Sequence, residues 1–339
     1  MHQDELSRRR LLLQALSALG ATAPWAGTAF AQAVSGPVVV YSTLNAQSVD
    51  TAKDVAKKAM PAVRVDMVTG GSLPLLKRME TEATKPQADI FWTSSANVMA
   101  NYRALFEAYK SPEAAAVPPA MQDTQNHWVG ANTHVVVAMI NLRRLGAEAP
   151  KSWADLTDPR FKGKIIIADP GNSSTAFTAL WGAEQVLGID GLRKLAANCT
   201  VSTAAANVVR SVGQGEYAVG ITFESTGYPY IAGGQREIKL VYPTDGTFSV
   251  EDNMALVKGA PNMATAKKMY DLLLSKNMQI ALLENAFRRP SRRDIDITKH
   301  VDMPPMSRIK IVALDDAKAA AGRDTFLARW RANVAATRS

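Results

Sequence analysis

The sequence predicts an α/β protein of two lobes on largely parallel sheets, and three observations predict it. Short β-branched apolar runs recur after residue 36, each closed by hydroxyl residues or glycine and followed by a helical stretch. Around 126–141 that rhythm breaks, and "HWVGANTHVVVAMINLRR" reads as consecutive strands without an intervening helix, a crossover into a second lobe. Beyond residue 238, "IKLVYPTDG" and "DNMALVKGA" read as strands leading the chain back.

In chain order, "PVVVYST" is a buried strand, followed by a helix from about Ser48 to Met60. "AVRVDMVTGG" alternates as a second strand, and "SLPLLKRMETEATK" opens a helix with Ser72 as N-cap and Pro74 in the first turn, where proline is tolerated. "ADIFWTSS" is the third strand and "ANVMANYRALFEAYK" its helix. The second lobe starts with a short helix, a loop and a strand in "SWADLTDPRFKGKIIIADP", then a helix opening at 173. A strand near Thr200, the helix "NVVRSVGQGE" and the strand "YAVGITFES" follow. "MATAKKMYDLLLSKNMQIALLEN" and "LDDAKAAAGRDTFLARWRANVAA" close the chain as helices. The expected division is an export signal over 1–33, one lobe of 37–131 with about 255–305, and a second of 132–254 with about 306–339.

The export signal rests on Ser7-Arg8-Arg9-Arg10-Leu11-Leu12, an apolar small-residue stretch, and Ala29-Phe30-Ala31 or Ala31-Gln32-Ala33 as cleavage sites. The arginine pair between serine and leucine fits the twin-arginine pattern; a general secretory signal remains open. No later stretch reaches the roughly 18 to 20 apolar residues of a membrane span, so a periplasmic mature chain is expected. Cys199 is the single cysteine and is expected to be a small buried hydrophobe.

With 47% hydrophobic and 21% charged residues, the chain of 339 can bury a sizeable core. The arginines of the first 33 residues exceed Asp4 and Glu5 by one, leaving +7 of the formal +8 on the remainder. Basic residues are scattered without aromatic interleaving, which argues against nucleic acid. The clusters Arg288-Arg289 and Arg292-Arg293 read as solvated surface.

In open α/β sheets ligands collect at the carboxyl ends of strands, where helix starts present free backbone N–H groups. "GNSST" places Ser173, Ser174 and Thr175 at such a start, and capping explains one of these hydroxyls but not three. The set suits a tetrahedral oxyanion, a phosphate or phosphonate. Ser42 and Thr43, then Gly70, Gly71 and Ser72, then Thr93, Ser94 and Ser95 occupy equivalent places after the first three strands. Glu224, at the mouth of the apolar strand "YAVGITF", needs a partner: a ligand amine or hydroxyl, or a structural cation. Asp245, Glu251 and Asp252 are further acidic candidates.

The order and spacing of "VVVYST", "GGSLPLLKRMETEATKPQADIFW", "SWADLTDPRFKGKIIIADPGNSSTAFTAL", "GEYAVGITFES" and "YPTDGTFSVEDNMALVKGAPN" resemble the periplasmic solute-binding proteins of ABC importers, in the group that binds ferric iron, phosphonates and sugar phosphates. The resemblance spans nearly the whole chain after the signal. It implies a bilobal periplasmic-binding-protein type II fold, capture between lobes, and delivery to an inner-membrane permease; the lobes are expected to rotate about strands near 132–137 and 242–257, and the protein to be a monomer.

Ferric-binding members use an adjacent tyrosine pair and a histidine. Here Ser225 and Thr226 fall at the pair and Asn45 near the histidine, so iron is the alternative, not the main reading. The phosphonate and sugar-phosphate members are similar in using hydroxyls, matched by Ser42, Thr43, Thr93, Ser94, Ser173, Ser174 and Thr175, with a carboxylate matched by Glu224. That carboxylate, with an acidic residue of 245–252, would face the ammonium of 2-aminoethylphosphonate or the ring hydroxyls of a sugar phosphate. No cofactor or metal is implied. An exported phosphatase or esterase is the rival class, but His127, His134 and His300 lie in no nucleophile or metal motif, and His127 and His134 read as structural. Presentation of the ligand to a membrane sensor is the third reading.

Overall fold

The computed structural model describes residues 35–145 and 149–336; the expected export signal lies outside the described residues. The first three expected strands are β1 (Gly36–Ser42), β2 (Val63–Thr69) and β3 (Ile90–Ser94), parallel, with β1 in the centre. Between them run α1 (Ala46–Ala59) and α2 (Ser72–Thr81). Strict alternation along β1 and β3 sends Val40, Ile90 and Trp92 into one apolar cluster and Tyr41 and Phe91 into another. Both faces of this sheet are therefore covered, as parallel strands require.

The third helix is much shorter than its pattern suggests. α3 (Ala96–Ala100) gives way to a 3-10 turn over Arg103–Leu105 and the two-residue β4 (Phe106–Glu107). Tertiary contacts outweigh helix propensity here. Phe106 is buried, stacked on Phe91 at 6.1 Å, and Arg103 is drawn away to Asp123 at 2.7 and 2.9 Å and over Trp128 at 4.3 Å.

Where consecutive strands are expected, the chain forms one 13-residue strand, β5 (Val129–Asn141), ending in α4 (Leu142–Leu145). The expected short helix at 153 is a pair of 3-10 turns, Asp155–Thr157 and Pro159–Phe161. Next come β6 (Ile165–Ala168), α5 (Ser174–Asn198), kinked where Gly188 adopts φ 71°, and β7 (Cys199–Ser202). α6 (Ala205–Gly213), β8 (Val219–Phe223), α7 (Glu224–Ala232) and β9 (Ile238–Val241) follow. The return strand β10 (Ser249–Val257) leads to α8 (Met263–Leu274) and α9 (Lys276–Ala286). These two helices are separate because Ser275, in extended conformation, caps α9 by accepting from Met278 N–H at 3.3 Å. β11 (Arg289–Pro290) and α10 (Asp316–Ala335) complete the chain.

The sheet runs β2-β1-β3-β10-β5-β8-β6-β7, with β4 added to β10 and β9 and β11 added to β5. The first part of β5 pairs antiparallel with β10 up to Val135, and the second part, from Val136, pairs with β8 and β9. A second large core gathers Trp153, Phe161, Leu180, Leu195 and Phe248 with Phe326 and Trp330 of α10. Two cores on one shared strand make the molecule bilobal.

Candidate functional site

At the β1 and β3 ends, most of the expected hydroxyls are turned onto the protein. Ser42 is fully buried and accepts from Leu44 N–H at 3.2 Å. Thr93 Oγ1 accepts from Thr43 N–H at 3.1 Å, the two threonine hydroxyls bond each other, and Thr43 Oγ1 also donates to the Thr93 carbonyl at 3.0 Å. Thr93 adopts φ 81°, an outlier for a β-branched residue that costs on the order of 1–3 kcal/mol. The Ser94 hydroxyl beside it is buried with no partner among the described residues. Asn45 caps α1 by accepting from Ser48 N–H at 3.0 Å. Gly71, not Ser72, is the N-cap of α2, so Ser72 is the first helical residue.

Across the fold, Asp169 ties the turn before α5, accepting from Gly171 N–H at 2.8 Å while its carbonyl accepts from Ser173 N–H at 2.9 Å. Ser173 caps the helix, accepting from Ala176 N–H at 3.2 Å. Ser174 is exposed and Thr175 half-buried, and neither hydroxyl has a partner among the described residues. Capping thus consumes one hydroxyl of the three.

The acidic candidates are engaged within the protein. Glu224 starts α7 instead of ending β8, and it is 1% exposed. Arg289, 2% exposed, grips both its oxygens from Nε and Nη2 at 2.5 and 2.6 Å; the Tyr242 hydroxyl donates to it as well. Burial, and then the Glu224 charge, raises the Tyr242 phenol above its ordinary range. Asp245 accepts from the N–H groups of Trp153 and Ala154 at 3.0 Å each, which fixes a loop. Asp252 accepts from His134 Nε2 at 2.6 Å and Arg288 Nη1 at 2.8 Å. Burial opposes its ionisation, yet the charges of His134 and Arg288 outweigh burial and hold it well below the usual carboxylate range.

His134 joins the two halves of the fold. Its Nε2 bonds Asp252, its Nδ1 and the Ser225 hydroxyl bond each other at 3.2 Å, and its ring stacks on Phe223 at 4.8 Å. Arg288 Nε donates to Ser48 of α1 at 3.0 Å. Thus α1, β5, β10 and α7 meet on one hydrogen-bonded hub.

Arg288 and Arg289 overturn the expectation of a solvated basic surface: they are 8% and 2% exposed because buried carboxylates compensate them. Phe287 turns the chain toward them in a left-handed conformation, φ 54°. Nothing in local sequence pairs Glu224 with Arg289, 65 positions away. The proline after Arg289, closing a two-residue strand, is the one local sign of a constrained segment.

Among the described residues no group of three or more His, Cys, Asp or Glu side chains is arranged for a metal. Tyr228 is buried, its hydroxyl accepts from Asp302 N–H at 3.0 Å, and burial raises its phenol above the ordinary value. Surface cavities of about 410 Å³ beside Met60 and Leu272 and about 470 Å³ beside Thr203 and Trp330 contain none of the expected site residues.

Two α/β lobes on shared strands, with hydroxyl-bearing strand ends, define a fold of the two-lobed clamp class. Residues 85–319 match the model of the bacterial extracellular solute-binding proteins, and the chain belongs to that family. An uncharacterized protein of Haemophilus influenzae is 31% identical over 262 residues, 72% of this chain and 74% of the relative. A putative 2-aminoethylphosphonate-binding periplasmic protein of Salmonella typhimurium is 26% identical over 313 residues, 84% and 86% of the two chains. The periplasmic binding protein AfuA from Actinobacillus pleuropneumoniae, solved with fructose-6-phosphate, superposes with a TM-score of 0.72 at 25% identity, covering 88% of this chain and 98% of that one.

Proposed function

We propose that this chain is the periplasmic substrate-binding component of an ABC importer and captures a small phosphorylated solute between its lobes. The observation that carries the reading is the start of α5, where Ser173 is spent on capping while Ser174 and Thr175 keep free hydroxyls beside the helix N–H groups. Those donors suit a phosphoryl group. The lobes are residues 37–131 with about 255–305, and 132–254 with about 306–339, and the ligand's differential affinity for the shut form drives closure. The protein works as a monomer, delivers to a membrane permease and catalyses no reaction; residues 1–33 direct its export.

Glu224, Asp245 and Asp252 are satisfied by Arg289, backbone N–H groups and Arg288 with His134. No carboxylate of this set is left to balance an ammonium, which supports a phosphate ester with an uncharged hydroxylated remainder, of the sugar-phosphate kind, over an aminoalkylphosphonate. In this reading Glu224 and Asp252 act by holding Arg289 and Arg288. The hydroxyls of Ser42, Thr43, Thr93 and Ser94 and the turns at Asn45, Gly71 and Ser72 shape the opposite wall, and Ser225 enters from α7.

Native mass spectrometry of freshly purified protein, together with calorimetric titration of sugar phosphates and 2-aminoethylphosphonate, tests this. A retained phosphorus-containing adduct and stoichiometric binding without turnover are expected. Ser174→Ala weakens binding about tenfold, the share of one charge-assisted hydrogen bond. Bound iron that resists washing, or steady hydrolysis of a phosphate ester, would overturn the reading.

A further inference from the structure

We propose that Arg288 is the cationic contact for the ligand's phosphoryl group, presented by a hub that spans the two lobes; this rests on the phosphoryl-binding reading above. The guanidinium is fixed on two edges. Nε donates to Ser48 Oγ at 3.0 Å and Nη1 to Asp252 at 2.8 Å, while Nη2 makes no hydrogen bond among the described residues. The unbonded Nη2 is not sealed from solvent, and about a tenth of the side-chain surface stays accessible. An arginine with two edges pinned and one open is pre-organised for an oxyanion and loses little rotamer freedom when it binds.

The surroundings point the same way. Ser48 lies in the first turn of α1, directly after the strand-end residues Thr43 and Asn45. Asp252 pairs in register with Asn132, and both side chains lie on the face of the sheet that His134 shares. Asn132 is fully buried, its amide nitrogen donates to the Arg289 carbonyl at 3.4 Å, and its Oδ1 has no partner among the described residues. Phe287 spends an unfavourable left-handed conformation to turn Arg288 inward, and such outliers persist where the surroundings impose them. Ser225, bonded to His134, couples the same hub to α7, so an anion on Nη2 sits where motion of the second lobe is felt.

Calorimetry of the purified full-length protein with inorganic phosphate, fructose 6-phosphate and 2-aminoethylphosphonate is the test, on wild type, Arg288→Gln and Arg288→Lys. Arg288→Gln should weaken the tightest probe by about 10- to 100-fold, the range of one charge-assisted contact. Arg288→Lys should fall between, since it keeps the charge and loses the fork. The ³¹P resonance of bound phosphate should move in Arg288→Lys, whose folding is checked by thermal unfolding, and stay in place in Gly182→Ala, which perturbs core packing. Unchanged affinity in both Arg288 variants, or an unmoved ³¹P resonance in Arg288→Lys, overturns the assignment while leaving the phosphoryl-binding reading intact. Failure of the wild type to bind all three probes overturns that reading itself.

Discussion

Replacing Arg289 by methionine should cost about 3–5 kcal/mol, the penalty for leaving one charge of a buried pair uncompensated. Arg289 makes three short bonds, to both oxygens of Glu224 at 2.5 and 2.6 Å and to the Pro304 carbonyl at 2.7 Å, and both side chains of the pair are 2% exposed. Methionine fills most of the same volume, so the loss is electrostatic and not a cavity. In the variant, Glu224 keeps Tyr242 as its one remaining side-chain donor among the described residues and must take up a proton or admit water. Adding Glu224→Gln to Arg289→Met removes both charges and should recover at least half of the loss. Urea unfolding followed by tryptophan fluorescence measures all three variants, with the slope checked to show that the unfolding unit has not changed. A loss below about 1 kcal/mol in Arg289→Met, or a double variant as unstable as the sum of the two singles, would refute the reasoning.

Gly182→Ala should lower stability by about 1–3 kcal/mol, because a Cβ there would stand 2.5 Å from the buried Phe248 ring; an unchanged melting temperature would show that the core has slack. For Asp123, burial alone would raise the carboxyl, but Arg103 and the His127 N–H lower it to about 2 from 3.8. Its stabilising contribution is therefore complete above about pH 4 and lost as pH falls toward 2. Asp123→Asn should flatten the urea midpoint over that window, and an unaltered acid slope counts against the assignment. Asn45→Ala removes the cap on α1 and should cost about 1 kcal/mol by thermal unfolding.

The strand, turn and helix rhythm was readable because periodicity is a local property: β1, β3, β6 and β8 fall within their apolar runs, and Ser173 caps where its hydroxyl and position suggest. The helix expected after β3 was not, because Phe106 and Arg103 answer to Phe91 and Asp123, partners that no local window contains. The same limit applies to the acidic site residues. Glu224 was legible as a carboxylate in need of a partner, and the partner lay in an arginine pair whose spacing resembles any solvated cluster. Ser174 and Thr175 remain the hydroxyls on which residue type, position and unspent bonding capacity agree.

Strand β5 exchanges one set of neighbours for another between Val135 and Val136. A severed half-molecule would carry a bare ladder on a long segment, an invitation to aggregate. Neither half should be producible alone in useful yield. In the proposed reading, lobe closure is torsion within a continuous backbone, with no tearing of its edges, so that a short wrung segment returns to its resting shape after each release.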